Sequence, residues 1–141
     1  MIIGQQDGKV DSKNRAILPK KFRAELGNAL VMTQGFENSL VLVSEVNFEN
    51  IVAGAANMPF TVQAARHTNR YLLSSADKVE LDSQGRFLIP EYLRKFAAIK
   101  EDVVFIGVGT YLEVWDKTTW GEYQKFLKEN GGEIAEKLRS Q

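Results

Sequence analysis

The stretch DSKNRAILPKKFR at residues 11–23 returns as DSQGRFLIPEYLR at residues 82–94, and this repetition constrains the fold more than any other feature of the chain. At an offset of 71 residues, Asp11 aligns with Asp82, Ser12 with Ser83, Arg15 with Arg86, Pro19 with Pro90 and Arg23 with Arg94. The apolar positions agree as well: Val10 with Leu81, Ile17 with Leu88, Leu18 with Ile89 and Phe22 with Leu93. With 141 residues, 44% of them apolar, the chain suits one ordinary domain or two small subdomains sharing a core.

Each copy begins with a short strand, near Gln5 to Val10 in the first, that breaks at three residues, Ser12 to Asn14. A three-residue connection predicts a type I turn followed by one left-handed residue. That last slot holds Asn14 in one copy and Gly85 in the other, the two residue types that accept a positive φ most readily. Asp11 and Asp82 stand at the turn entries, where a carboxylate accepts local backbone N–H groups, and Arg15 and Arg86 follow the turns directly. Pro19 and Pro90 are placed at the first position of short helices, PKKFRAEL and PEYLRKFA, whose Phe22/Leu26 and Leu93/Phe96/Ala97 spacings put one apolar side on a sheet. Two further strands follow in each copy, ALVMTQ and LVLVS, then VVFIGV and YLEVW, with Phe48 and Trp120 opening another helical segment.

Between the copies, TVQAARHTNRYLLSSA reads as a bridging helix with Val62, Ala65, Leu72 and Leu73 on its apolar face. The tail from Trp120 has helical periodicity at Trp120, Tyr123 and Leu127, is expected to break at Gly131 and Gly132, and resumes weakly with Ile134 and Leu138. That last piece either frays or docks on a neighbouring subunit. The units are therefore drawn as residues 5–47, residues 76–119 and a helical tail over 120–141.

Several function classes are set aside by residue counts. There is no cysteine, which removes disulfides, thiolate metal sites and thiol nucleophiles, and the single histidine, His67, cannot by itself make a histidine triad or a multi-histidine zinc site. No carboxylates form a recognisable catalytic constellation, and IGVGTY reads as a hairpin turn rather than a phosphate cradle. The expectation is a non-enzyme without metal, cofactor or small-molecule substrate. No apolar run approaches the roughly 20 residues that span a bilayer, and MIIGQQDGK lacks a basic segment leading into a long apolar one, so a soluble, unexported protein without membrane contact is expected. Phe36, Phe48, Trp115, Trp120 and Phe126 lie in apolar strands or on helix faces and are assigned to core or subunit packing rather than base stacking.

The formal net charge of zero conceals an uneven distribution. Residues 1–23 hold Lys9, Lys13, Arg15, Lys20, Lys21 and Arg23 against Asp7 and Asp11, a local +4, whereas residues 24–60 carry four glutamates and no base. Such a field can draw a polyanion to one face of a neutral protein, although a solvated surface has the same composition.

Two D-x-x-x-R motifs, DSKNR and DSQGR, each followed by an apolar pair, a proline and a short helix, closely resemble the bacterial MraZ family over nearly the whole chain. The resemblance implies an α+β, mainly β fold of two tandem SpoVT/AbrB-like subdomains related by pseudo-twofold symmetry. These share the swapped-hairpin, double-psi-like barrel of the AbrB and MazE DNA-binding proteins. It also implies a cytoplasmic, nucleoid-associated regulator that assembles into a homo-oligomeric ring. Such a ring binds short G-rich direct repeats in duplex DNA upstream of its own operon, in the division and cell-wall gene cluster, commonly as a repressor. Arg15 and Arg86 fall on the family's motif arginines, and Asp11 and Asp82 on its aspartates. Lys13 gives way to Gln84 in the second copy, and Lys20 and Lys21 to Glu91 and Tyr92, so the two repeats are unequal in charge.

The chemistry fits the residue types. A guanidinium donates two parallel hydrogen bonds to O6 and N7 of guanine in the major groove and stays charged at every relevant pH. Lys9, Lys13, Lys20 and Lys21 would hold phosphates without reading sequence. The plainer alternative is that Asp11–Arg15 and Asp82–Arg86 pair only to close their turns, and the two roles are compatible. A binding module of the antitoxin type, working through a protein partner on the same fold, is the second functional reading.

Overall fold

The computed structural model describes residues 1–139; Ser140 and Gln141, the end of the expected tail, lie outside the described residues. In chain order the elements are β1 (Gln5–Lys9), β2 (Arg15–Ile17), α1 (Lys20–Leu26), β3 (Ala29–Gln34), β4 (Leu40–Ser44) and α2 (Glu45–Ala56). After these come α3 (Gln63–Ser74), β5 (Asp77–Glu80), β6 (Arg86–Leu88), α4 (Glu91–Phe96), β7 (Asp102–Gly107), β8 (Leu112–Asp116) and α5 (Lys117–Leu138). The protein is α+β with antiparallel sheets, as the repeat pattern requires.

The pairing crosses between repeats. One six-stranded sheet runs β1-β7-β8-β4-β3-β5, and a separate two-stranded ribbon joins β2 to β6. The order reads the same from either end once each strand is replaced by its counterpart in the other repeat. β1 thus pairs with β7 of the second repeat and β5 with β3 of the first. The two strands flanking the first turn touch only at the Val10–Ala16 bridge before diverging to partners in the other half. This exchange of hairpins makes one fold out of two similar sequences.

Burial explains why the halves stay together. One face of the large sheet contributes Leu30, Met32, Leu40, Leu42, Phe105, Leu112 and Val114 to a core completed by Leu18, Phe22, Phe87, Ile89 and Leu93 from the ribbon and the short helices. Both repeats supply this core, so neither could bury its apolar residues alone. The opposite face holds a smaller cluster, Val31, Val43 and Phe48, under α2. Further along the sheet, Trp115 is covered by Trp120 and Tyr123 of α5. The strand-to-helix corners of the two repeats are capped alike: Ser44 Oγ accepts from Asn47 N–H, and the Asp116 carboxylate from Thr119 N–H.

Four local expectations are corrected. Pro19 and Pro90 sit one position earlier than expected, as the N-cap residues with ψ of 139° and 138°, and the helices begin at Lys20 and Glu91. Leu73 is 48% exposed rather than part of the apolar face of α3, where Ala65 and Leu72 are buried. Gly131 and Gly132 do not interrupt the tail: α5 is one continuous helix of 22 residues. Each glycine costs a helix only about 1 kcal/mol relative to alanine, which strong helix formers on either side offset. Phe36 and Phe126, assigned to packing, are 56% and 47% exposed, although each stacks on a tyrosine, Tyr71 and Tyr123 respectively. Among the described residues no helix is long and apolar enough to cross a membrane.

Candidate nucleic-acid interface

Each motif builds the same small device. Asn14 N–H donates to the Asp11 carbonyl (3.1 Å) and Asp11 N–H to the Arg15 carbonyl (2.9 Å), closing a type I turn whose last residue, Asn14, is left-handed with φ of 61°. The second copy matches, with Gly85 to Asp82 at 3.0 Å, Asp82 to Arg86 at 2.9 Å and Gly85 at φ 79°. Asp11 and Asn14, like Asp82 and Gly85, thus stand at the first and last positions of their turns.

The aspartates do two jobs with two oxygens. Asp11 Oδ1 accepts the backbone N–H groups of Lys13 and Arg15, both at 2.9 Å, while Oδ2 accepts Arg15 Nε at 2.9 Å. Asp82 does the same with Gln84 (2.8 Å) and Arg86 (2.9 Å) through Oδ1, and with Arg86 Nε (2.7 Å) through Oδ2. Only Nε of each guanidinium is used. Among the described residues nothing else bonds either arginine side chain, so both Nη groups are left without a protein partner, on side chains about 40% exposed. The carboxylate fixes the guanidinium through Nε alone.

These bonds lower both carboxyl pKa values. For Asp82 the leading cause is the Arg86 side-chain hydrogen bond, followed by the Arg86 backbone N–H, and the value falls from 3.8 to about 2. For Asp11 the Arg15 backbone N–H leads, and the direction is the same. A carboxyl whose folded pKa is depressed stabilises the native turn above its ordinary pKa and loses that contribution as pH falls toward the folded value. The Asp82–Arg86 turn should accordingly be intact above about pH 4 and loosen between 3.8 and about 2. A carbon-detected NMR titration checks this: the Asp82 carboxyl should titrate well below an ordinary aspartate, and a midpoint near 3.8 would mean that the pair does not form in solution.

The ribbon brings the two arginines together. β2 and β6 are antiparallel with Arg15 opposite Leu88, Ala16 opposite Phe87 and Ile17 opposite Arg86, so a pseudo-twofold axis passes through the central pair. Ala16 and Phe87 point into the core at 2% exposure, and strand alternation sends the other four side chains outward. Arg15 and Arg86 line one groove with Lys9, Asp11 and Arg94. Lys9 also pairs with Asp102 across the strands (3.2 Å), an exposed ion pair that yields easily to a phosphate. Lys13 lies in the first turn beside Arg15. Lys20 and Lys21, on the first turn of α1, do not line the groove, and Lys21 leans away to the Gln5 carbonyl (3.4 Å).

Two arginines were not singled out from sequence. Arg23 of α1 reaches across the axis to the Gln84 carbonyl (3.1 Å) while anchored on the Leu18 carbonyl (2.6 Å). Arg94 of α4 reaches the first turn in return, donating to the Asp11 carbonyl (3.1 Å) and Asn14 Oδ1 (2.6 Å), and is anchored on the Ile99 and Lys100 carbonyls. Each helix arginine thus clamps the turn of the other repeat. Their alignment as Arg23 and Arg94 was the available signal; the crossing was not visible without the strand exchange.

The clamp sharpens a stability prediction. A Cβ at Gly85 would fall on the Arg23 guanidinium, in addition to placing a side chain at positive φ. Gly85→Val should therefore destabilise by about 2–3 kcal/mol. Asn14→Gly keeps the backbone shape and loses one partly exposed hydrogen bond from Arg94, worth about 0.5–1 kcal/mol. In thermal melts the valine variant should lie about 6 °C below the glycine variant. Equal melting temperatures would refute the clamped left-handed turn.

Comparison with known proteins agrees with this arrangement of two like halves. The family model of the MraZ protein, described as antitoxin-like, matches twice, at residues 1–71 and 72–139. The transcriptional regulator MraZ of Caldanaerobacter subterraneus subsp. tengcongensis is 44% identical over 138 residues, 98% of this chain and 96% of that protein. Proteins of the same name from Acetivibrio thermocellus and Clostridium acetobutylicum are 40% and 36% identical, again over 98% of this chain and 96% of their own length. A duplicated D-x-x-x-R turn, interleaved sheets and a family match that divides where the repeat divides have a common explanation: the chain belongs to the MraZ family, as two tandem AbrB-like subdomains in one polypeptide.

Proposed function

We propose that the chain is a sequence-specific, DNA-binding transcriptional regulator that represses its own operon, in the division and cell-wall gene cluster, by binding short G-rich direct repeats. One observation carries this reading: two arginines on the outer face of one ribbon, each held through Nε by an aspartate and with both Nη groups free of protein partners among the described residues. A two-stranded ribbon fits the major groove, where such a fork pairs with guanine O6 and N7. Residues 5–47 and 76–119 act as the two reading units, Lys9 and Lys13 hold phosphates beside the first arginine, and Lys20 and Lys21 hold phosphates further along the backbone. The relatives' name, transcriptional regulator, supports the regulator reading, and such a regulator would act in the cytoplasm, at the nucleoid.

Assembly is part of the proposal. The two similar but unequal halves give each protomer two different ends, and a contact between half one of a protomer and half two of the next is heterologous, closing into a ring if the rotation permits. Val46 (71% exposed) and Phe60 (83%) are apolar side chains that such a ring could cover.

The test is binding of the full chain to the duplex immediately upstream of its gene, against a scrambled duplex of the same composition. Preference for the native duplex by a factor of at least about 10³ is expected, and equal affinity would overturn the reading. The antitoxin-like wording of the family description favours a second possibility, a protein-binding module. It would give a stable protein complex and weak, sequence-independent DNA affinity.

A further inference from the structure

The outward face of the β2/β6 ribbon carries four side chains, and only two of them are charged. Ile17 and Leu88 are 55% and 57% exposed, related by the pseudo-twofold axis, and each lies directly opposite an arginine: Ile17 against Arg86, Leu88 against Arg15. We propose that Ile17 and Leu88 read thymine through its C5 methyl group, and so determine specificity at base pairs about two steps from those contacted by Arg15 and Arg86. This rests on the DNA-binding reading and deepens it.

Scattered exposed apolar residues are ordinary on protein surfaces. This pair is different because of where the register puts it. Opposed residues of an antiparallel pair stand about 5 Å apart at Cβ, and residues i and i+2 of one strand about 7 Å apart. Base pairs rise by about 3.4 Å, so an isoleucine two residues beyond an arginine reaches an edge about two steps from the guanine. The thymine methyl is the apolar group that the major-groove edges present, and an aliphatic side chain is its natural partner. The groove beside them favours a polyanion over a second protein, because its lining sets four cations, Lys9, Arg15, Arg86 and Arg94, against the carboxylates of Asp11 and Glu101. A polyanion with methyl groups in its groove satisfies both the charged and the apolar members.

The experiment uses the full chain and a duplex that it selects from a random pool, made a second time with uracil for every thymine in the selected stretch. Uracil removes only the methyl and leaves pairing and the O4 acceptor intact. The protein should bind the uracil duplex about fourfold more weakly for each methyl contacted. Ile17→Ala and Leu88→Ala should each lose part of that discrimination, and the double variant should bind both duplexes alike, with an unchanged melting temperature because neither side chain belongs to the core. A selected stretch without thymine, no discrimination by the parent protein, or discrimination that persists in the double variant overturns the assignment. So does a double variant whose only change is in oligomeric mass. If no duplex is selected at all, the regulator reading fails with it; if one is selected but thymine and uracil are equivalent, only this inference fails.

Discussion

Arg15→Ala is expected to abolish tight operator binding while leaving the melting temperature within about 1 °C of the parent. The side chain is outside the core and its one ion pair is exposed, so little stability is lost. A bidentate base contact is worth about 1–3 kcal/mol of discrimination, and in an assembly that engages several repeats at once the deficit multiplies through the effective concentration of the remaining sites. Arg15→Lys should be almost as damaging. Lysine has no Nε to rest on Asp11 Oδ2 and no planar fork to offer a guanine, so it loses both the aim and the contact. Arg86→Ala should cost less, because the turn geometry is the same but Gln84, Glu91 and Tyr92 replace the lysines that surround the first arginine. Fluorescence anisotropy with a labelled operator measures all three. Parent-like affinity in a folded Arg15→Ala protein, or a larger loss at Arg86 than at Arg15, would contradict this ordering.

The second large effect is expected from salt. Every phosphate neutralised releases counterions, and two protomers each using Lys9, Lys13, Lys20 and Lys21 would lose about 10³–10⁵ in affinity between about 50 and 200 mM salt. The four lysines should not contribute equally. The ammonium groups of Lys13 and Lys20 have no hydrogen-bond or ion-pair partner among the described residues, whereas Lys9 must leave Asp102 and Lys21 must leave the Gln5 carbonyl. Removing Lys13 or Lys20 should reduce the logarithmic salt slope by about one for each bound protomer, hence by about two for the pair. Affinity should rise steeply with the number of DNA repeats, and mass determination in solution should give a closed assembly. A monomer that binds one repeat as tightly as three would rule out the ring.

The turns were legible because their determinants are local. A three-residue connection ending in Asn14 or Gly85 leaves few backbone solutions, and the aspartate before it has nearby N–H groups to accept. Strand identity was legible for the same reason. The partner of each strand was not legible in the strands themselves: β1 pairs with β7 rather than with β2, an exchange implied only by the family resemblance, since nothing in QQDGK distinguishes one neighbour from the other. The roles of Arg23 and Arg94 depended on that exchange and were hidden with it. Ile17 and Leu88 were aligned as matching apolar positions, and the alternation set by Ala16 and Phe87 turns them outward. Lys20 and Lys21 were grouped with the motif by sequence distance, while the corner at Pro19 carries them onto a separate helix.

The palindromic strand order has a consequence for the orientation of what is read. Two identical copies of a half-length chain could close the same sheet, but a reader with a true twofold axis is confined to operators that look alike in both directions along the duplex. Joining the halves removes that restriction. Position 17 carries isoleucine where 88 carries leucine, position 13 lysine where 84 carries glutamine, and the clamp on Asn14 Oδ1 has no side-chain counterpart at Gly85. The ribbon therefore has a front and a back, and a site recognised by it has a polarity. Polarity is what a row of head-to-tail sites demands of each protein bound to it: all the readers must face the same way.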